Sequence, residues 1–478
     1  MIDLTRGNIV KTQFKKTQSL IAIAVAATFS LAAAGAHADE LSDLKAQLKA
    51  LSSKVSDLEN KPVASSAPAK PLPEALKTNQ EGKPYDDSSD GVAIYNGRDT
   101  EVRIYGRLEA TLSTVNNQGA GSKKSTGFQT SWFGGDRLGF DVNHSLSSLG
   151  SQWGMPDLKV ISKLEAEFEH NTGNNDTAGA LFNRDSWVGL YSEKLGKLTA
   201  GHQNTLGKDF TANWGDPYGS AETGLKEGGY TNKNNFKSFI YYAGNADGTR
   251  SNSSIVWKKD WQNHWVTGLS YKFGSSGGLS SGAAGDFANG TGKTASIAYN
   301  KLGLVNGIYA NLNATYNTAN NSNLNHTATL LGGNIVLSPV VRYNLGFVDY
   351  KAQQGNNLAD RHDHSWTNSF KFTPAGKFEY AIGYQEMKGT NAGMKSGVVL
   401  NAFADTSGAT ATANGAKKST YGSITYHADK GLDLYVAADK FKTTGGWVVK
   451  DALGNNTYGA GQAHDGTTEF ALGAIFKF

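Results

Sequence analysis

The alternation of the last thirteen residues, GTTEFALGAIFKF, constrains the fold of this chain more than any other feature. One face of the extended segment carries Phe478, Phe476, Ala474, Leu472 and Phe470, and the other carries Lys477, Ile475, Gly473, Ala471 and Glu469. Chain ends fray unless they are paired. The pattern therefore predicts a paired terminal strand, and its apolar face must contact either a protein core or lipid.

Similar amphipathic runs recur from about residue 102 onward. In VRIYGRLEATLST, apolar side chains alternate with Arg103, Tyr105, Arg107, Glu109 and Thr111. In ISKLEAEFE, the polar face carries Lys163, Glu165, Glu167 and Glu169. Several charges on one face of a short strand are costly in a soluble core but are accommodated in a water-filled lumen.

Counting these runs predicts sixteen strands. We place them at 102–114, 134–146, 158–170, 181–192, 197–204, 250–259, 264–273, 292–301, 305–318, 326–337, 340–353, 363–373, 377–390, 417–428, 432–444 and 467–478. Short connections such as EKLGK, KLGL, SP, PAG and DKGL alternate with long polar ones. An even number of antiparallel strands, with short turns at one rim and long loops at the other, is typical of an outer-membrane barrel. Sixteen strands leave an aqueous channel. The terminal strand then closes the barrel and turns its apolar face to lipid.

Composition supports this fold class. Glycine accounts for 57 of 478 residues and charged residues for only 18%, which suits many strands and turns. Beyond residue 38 no apolar run reaches 18 residues, so a helical membrane protein is excluded. We therefore predict an all-β protein whose transmembrane barrel domain spans residues 96–478, preceded by a short helix and a linker.

The N-terminal region predicts three segments. Residues 1–38 have the basic, apolar and AHA-site order of a secretory signal peptide. Residues 39–60 carry the a/d heptad seam Leu41, Leu44, Leu48, Leu51, Val55 and Leu58, which favours a periplasmic coiled coil over a single docked amphipathic helix. Residues 61–95 form a proline-rich linker.

The charge of the chain gives no indication of a nucleic-acid partner, and none is expected. Removing residues 1–38 leaves 42 basic and 41 acidic residues, so the net charge falls from +4 to +1. No basic domain remains to neutralise phosphates. The absence of cysteine removes disulfides, thiolate catalysis and Cys-ligated metals.

Five stretches in this order resemble the general porins of Gram-negative outer membranes: VRIYGRLEATL, DRLGF, KLEAEFE, FNRDSWVGL and GKLTAGHQNT. The resemblance extends from about Val102 to Phe478, and the closing strand with Phe470, Phe476 and Phe478 looks like the family's assembly signal. It implies a homotrimer in the outer membrane, in contact with lipid and lipopolysaccharide. Each barrel would pass ions and small hydrophilic solutes by passive diffusion.

The resemblance also implies a constriction. The third long connection, 205–249, would fold inward and present Asp209, Asp216, Glu222 and Glu227. The wall would present Arg103, Arg107, Arg137, Arg184 and Arg250. Acidic groups facing arginines create a transverse field across a narrow pore. Strand parity near Arg184 stays open, because Trp187 and Val188 are both apolar and lie on opposite faces.

The sequence also leaves two alternatives to passive diffusion. The N-terminal extension is reminiscent of some sugar-specific porins, so a sugar- or anion-specific channel is an alternative, as is a barrel-anchored periplasmic tether. GTGKT at 290–294 lacks the first glycine of a phosphate loop. His362 and His364 in RHDH are interpreted as part of a solvated polar loop rather than a metal site. No enzymatic activity, cofactor or metal is expected.

Overall fold

The computed structural model describes residues 91–118, 123–129, 131–177, 179–212, 242–243, 249–261, 264–275, 285–286, 290–374, 376–447, 449–450, 456–457 and 466–478. All of them belong to the unit Lys77–Phe478, one of two into which the chain divides. The predicted signal peptide, the predicted coiled coil with its leucine seam, and most of the predicted linker lie outside the described residues. Among the residues that are described, no helix has the length and apolar composition needed to cross a bilayer.

Within the described residues, sixteen long antiparallel strands form one sheet that closes on itself. They are β1 Thr100–Gln118, β2 Asp136–Ser145, β3 Lys159–Glu169, β4 Asp185–Ser192, β5 Gly196–Asn204, β6 Arg250–Asp260, β7 Trp265–Lys272, β8 Thr291–Gly303, β9 Tyr309–Asn321, β10 Leu324–Ser338, β11 Val341–Ala352, β12 Arg361–Phe372, β13 Phe378–Lys395, β14 Ala411–Asp429, β15 Leu432–Gly445 and β16 Gly466–Lys477. Each strand pairs with the next, and β16 pairs with β1. The predicted fold class and all sixteen predicted strands are confirmed.

Several short strands and two short helical segments lie outside the sixteen barrel strands. They are the strands Val92–Asn96, Lys123–Gln129, Asn174–Asn175 and Val398–Val399, the hairpins Gly274–Ser275 with Gly285–Asp286 and Val449–Lys450 with Asn456–Thr457, the α-helix Ser147–Gln152 and the π-helical turn Gly207–Ala212. The strand Val92–Asn96 pairs with the start of β1. The end of the segment predicted as linker, 61–95, is therefore strand.

Connections at the two rims differ in length. One rim carries 193–195, 261–264, 304–308, 339–340, 373–377 and 430–431, and the other carries 119–135, 170–184, 205–249, 273–290, 353–360, 396–410 and 446–465. Two connections depart from the rule. Residues 146–158 form a longer connection with a helix on the short rim, and 322–323 form a tight turn on the long rim. In outer-membrane barrels the long loops are extracellular.

The two faces of the terminal strand behave as the alternation predicts. Phe470, Leu472 and Phe476 are 44–47% exposed on the outer face, whereas Glu469 and Ile475 are buried on the inner face. Because the outer surface of such a barrel contacts hydrocarbon, exposure of these side chains corresponds to contact with lipid. The apolar face of GTTEFALGAIFKF is therefore the lipid face.

Candidate functional site

Two parts of the inner surface of the barrel differ in their chemistry. The inward faces of β1–β6, here called the charged arc, carry the buried residues Arg107, Glu109, Arg137, Asp141, Lys163, Glu165, Asp185, Lys197 and Lys258. The inward faces of β8–β10, here called the neutral arc, carry hydroxyl and amide side chains at Thr294, Ser296, Asn311, Asn313, Thr315, Asn317 and Asn334. Apart from His326, the buried inward positions that the structure describes on β8–β10 hold no ionisable side chain.

Arg184 lies at the centre of the charged arc. It immediately precedes β4, and its guanidinium forms ion pairs with Glu165 and Glu167, which project inward from β3. Its backbone N–H also donates to the Glu165 carbonyl at 3.1 Å. Arg184 therefore points into the lumen and is held there by two carboxylates of the neighbouring strand.

Two adjacent apolar residues of β4, Trp187 and Val188, show which of its side chains point inward. Trp187 is 7% exposed and Val188 is 54% exposed, so Trp187 faces the lumen and Val188 faces lipid. The Lys197 Nζ lies 4.4 Å from the centroid of the Trp187 ring. A cation over an indole face is a favourable contact, which explains how a tryptophan is accommodated among charged side chains.

Arg137 and Arg250 flank the same cluster. Arg137, on β2, is buried, and its Nε donates to the Gly135 carbonyl at 3.4 Å. The Arg250 Nε lies 4.0 Å from an Asp185 oxygen. Arg137 is opposite Glu167 in the ladder between β2 and β3, and Asp185 is opposite Glu165 in the ladder between β3 and β4. Three of the five arginines named in the sequence analysis, Arg137, Arg184 and Arg250, are thus brought together.

Arg107 and Arg103 have different surroundings. Arg107 pairs with Glu109, whose carboxylate also accepts hydrogen bonds from the backbone N–H groups of Trp132 and Phe133 at 2.8 and 2.7 Å. Arg103 donates to Glu101 at 2.8 Å and to the Gly91 carbonyl at 3.0 Å. Arg107 therefore supports the inward end of connection 119–135, and Arg103 holds the segment that precedes the barrel.

The third long connection turns into the barrel as soon as β5 ends. Leu206 and Phe210 are fully buried against Val256, Val266 and Ala298 on the inner wall. Gly268 permits this approach, because a Cβ on it would lie 2.9 Å from Leu206 and 3.0 Å from Phe210. The Thr211 hydroxyl donates to that of Thr315 at 3.2 Å, so the connection reaches the neutral arc.

Asp209 is the one predicted loop carboxylate that the structure describes. Its Oδ2 lies 2.6 Å from the Lys258 Nζ, and both side chains are almost fully buried. Asp209 therefore binds the connection to β6. Within the described part of the chain it pairs with a lysine rather than with one of the five arginines. Asp216, Glu222 and Glu227 lie outside the described residues.

The far end of the same connection is also inside the barrel. The hydroxyl of the fully buried Tyr242 donates to Asp363 of β12 at 2.9 Å, and its ring centroid lies 5.3 Å from that of Tyr350 on β11. The Thr205 hydroxyl donates to the Ala243 carbonyl at 2.5 Å. The described parts of the connection thus contact inner faces from β6 to β12.

Several partners in this site were not identified as site residues from the sequence. Lys258, Glu109 and Tyr242 are examples. The alternation places Glu109 on the inward face and would have placed Lys258 there too. The alternation could not have identified their partners. Asp209 contacts Lys258, and Trp132 contacts Glu109, from connections whose path depends on packing.

A family model described as Gram-negative porin matches residues 22–446. Among solved structures, the anion-selective porin from Comamonas acidovorans has a TM-score of 0.56 and 17% identity, with 80% of this chain and 100% of that chain covered. The trimer form of in-vitro folded OmpT, an outer membrane protein of Vibrio cholerae, has a TM-score of 0.51 and 12% identity, with 80% and 100% covered. These two structures share the fold of the barrel described above.

A curated relative gives a partial match. An outer membrane porin protein of Bordetella pertussis (strain Tohama I) is 26% identical over 135 residues, which is 26% of this chain and 32% of that protein. The chain therefore aligns with about a third of the length of this relative.

Proposed function

Since the chain belongs to the Gram-negative porin family, we propose that ions and small hydrophilic solutes diffuse passively through its barrel. The protein is a channel of the Gram-negative outer membrane. Its family and fold are those of channels rather than of enzymes. The proposal concerns what passes through the channel and which residues select it.

The observation that carries the proposal is the position of the third connection inside the barrel. Leu206 and Phe210 fix its start to β6–β8, and Tyr242 fixes its end to β11 and β12. Both described parts of the connection, 205–212 and 242–243, lie inside the barrel. Because a segment inside the lumen narrows it, solutes are selected by size at this level and by charge on the adjacent wall.

Charge selection is assigned to Arg137, Arg184 and Arg250. Their guanidinium groups stay protonated when crowded together, and Glu165, Glu167 and Asp185 lie beside them. We propose that Asp216, Glu222 and Glu227 complete the transverse field from the connection. Asp209 is proposed as the anchor of the connection, because its 2.6 Å pair with Lys258 neutralises its charge.

The functional assembly is proposed to be a homotrimer. One solved structure of similar fold, OmpT of Vibrio cholerae, is described as a trimer form. The predicted coiled coil at 39–60 is shorter than a stable isolated one, so it would associate only between chains that the barrels had already brought together. We place this extension in the periplasm.

Single-channel recording of the purified protein in a planar bilayer tests the proposal. A large conductance in salt that closes in three equal steps, and that is indifferent to maltose, sucrose and phosphate, is expected. Closure in one step would contradict the trimer. Absence of any conductance from correctly folded protein would contradict the diffusion channel.

A substrate-specific channel is the second candidate, and the neutral arc favours it. The Asn313 side-chain amide has no hydrogen-bond partner among the described residues, although it is 6% exposed. Carbohydrates are recognised by amides and hydroxyls of this kind, because each such group can donate or accept. Saturable block of the current by maltose or sucrose would favour this candidate, and loss of the block in Asn313→Ala would assign it to the neutral arc.

A further inference from the structure

Three ionisable side chains meet on the outer surface of β11 and β12, away from the lumen. Asp349 projects outward from β11, and His362 and His364 project outward from β12. The His362 Nε2 lies 2.6 Å and the His364 Nδ1 lies 3.3 Å from the same Asp349 oxygen. The stretch RHDH, predicted to be a solvated loop, instead begins β12, and this strand places both imidazoles on one face.

The spacing of these atoms suits a small divalent cation. The three candidate ligand atoms all lie within 4.8 Å of one another. Zinc binds histidine nitrogen and carboxylate oxygen at about 2.0–2.2 Å in tetrahedral geometry, so its ligand atoms are about 3.3 Å apart. The His364 Nδ1 is already 3.3 Å from the Asp349 oxygen. The His362 Nε2, at 2.6 Å, would have to move about 0.7 Å away from that oxygen to make room for the ion.

The surroundings leave the site open to water. The side chains of His362 and His364 are 40% and 52% exposed, and that of Asp349 is 28% exposed. The outward aromatic residues Phe347 and Trp366 form the next pair toward the membrane, directly opposite each other in the ladder. Aromatic belts mark the membrane interface, so the two histidines and Asp349 lie at or above headgroup level.

Two cations face this site and compete with a metal. The Lys351 Nζ lies 3.4 Å from Asp349, and Lys388 of β13 is opposite His364 in the ladder. Both side chains are highly exposed, at 61% and 70%. Long exposed lysines can turn their ammonium groups into water, so they do not block the carboxylate.

We propose that Asp349, His362 and His364 form a binding site for a divalent transition-metal ion such as Zn²⁺. Three protein ligands and a fourth position open to solvent are the arrangement of an accessible zinc site. The ion would link β11 to β12 beside connection 353–360. The site faces lipid headgroups and not the pore, so it is independent of the constriction proposed above.

Titration of the untagged, chelator-treated protein in detergent with Zn²⁺, followed by calorimetry, tests the site. A single saturable binding event is expected for the wild type. Its loss is expected in the His362→Ala, His364→Ala double variant, while conductance stays unchanged. Absence of saturable binding in the wild type, or its persistence in the double variant, would overturn the proposal.

His427→Ala is the matched control. His427 Nδ1 lies 2.6 Å from Asp433, so it forms a similar pair with a carboxylate, but no second histidine belongs to that group within the described residues. Zinc binding should match the wild type in this variant. Titration with Co²⁺ gives an independent readout, because tetrahedral Co²⁺ absorbs visible light far more strongly than the hydrated ion. A wild type without that absorption would also count against the site.

Discussion

Phe478 and Gly106 exchange two backbone hydrogen bonds at the seam where the barrel closes. The Phe478 N–H donates to the Gly106 carbonyl at 3.1 Å, and the Gly106 N–H donates to the Phe478 carbonyl at 2.9 Å. The ring of Phe478 also lies where a side chain at Gly106 would be, since a Cβ there would approach its Cζ to 2.3 Å. The seam of the barrel therefore depends on a glycine opposite the terminal phenylalanine.

Gly106→Leu should weaken this seam. The leucine would compete with the Phe478 ring for one position, and overpacking of this kind costs about 1–3 kcal/mol. We expect a lower temperature for the heat-induced mobility shift on a gel. In a Phe478→Ala background the same substitution should cost much less, because the competing ring is gone. An equal cost in both backgrounds would contradict the assigned contact.

Replacing Arg137 and Arg184 together by alanine should shift selectivity toward cations. Glu165 and Glu167 would then remain on the wall without the guanidinium of Arg184. The reversal potential in a salt gradient measures the shift. The shift should shrink at 1 M salt, where the Debye length is about 3 Å compared with about 10 Å at 0.1 M.

Arg98→Ala is the control for that pair, because Arg98 is exposed in the turn before β1. Its reversal potential should equal that of the wild type. An unchanged potential in the Arg137, Arg184 variant at low salt would remove these residues from the selective site.

Lys258→Met should loosen the start of the inward connection. The buried Asp209 carboxylate would lose its 2.6 Å ion pair, and breaking a buried pair on one side costs about 3–5 kcal/mol. We expect a lower unfolding temperature and more open-channel noise. Adding Asp209→Asn should recover much of the loss, because it removes the buried charge that Lys258 neutralises in the wild type.

Lys259→Met tests whether the effect is specific. Lys259 precedes the end of β6, faces the opposite side and bonds to the Lys194 carbonyl. It should leave the noise unchanged. If both lysine variants behaved alike, the pair between Asp209 and Lys258 would not be the anchor.

The strands could be predicted because their signal is local. Alternation along VRIYGRLEATLST and KLEAEFE needs only the sequence, and the structure places Arg107 and Glu165 on the inward faces that it predicts. The predicted ends of the strands were less accurate where a strand extends beyond the barrel wall. Strand β14, for example, was predicted from residue 417 and begins at Ala411.

Contacts between distant segments could not be predicted in this way. Asp349 joins His362 only because the register of β11 and β12 places Lys351 opposite His362 and Asp349 two residues away. The pair between Asp209 and Lys258 depends on Leu206 and Phe210 packing against the wall. Both are set by tertiary structure, for which no local pattern exists.

Glu109 should be the most sensitive carboxylate of the first strand. It accepts hydrogen bonds from the backbone N–H groups of Trp132, Phe133 and Gly134 and from the Tyr435 hydroxyl, at 2.7–3.1 Å. Glu109→Ala would leave buried N–H groups without this acceptor, which costs about 1–3 kcal/mol for each group.

Glu109→Gln keeps an acceptor oxygen and should destabilise the protein less. Thermal unfolding and the rate of trypsin cleavage at Lys124 measure the effect, because release of connection 119–135 would separate the strand Lys123–Gln129 from β1 and leave its backbone free to enter the protease. Glu101→Ala, at the partly exposed start of the same strand, should behave like the wild type. If Glu109→Ala were no less stable than Glu101→Ala, Glu109 would not hold the connection against the wall.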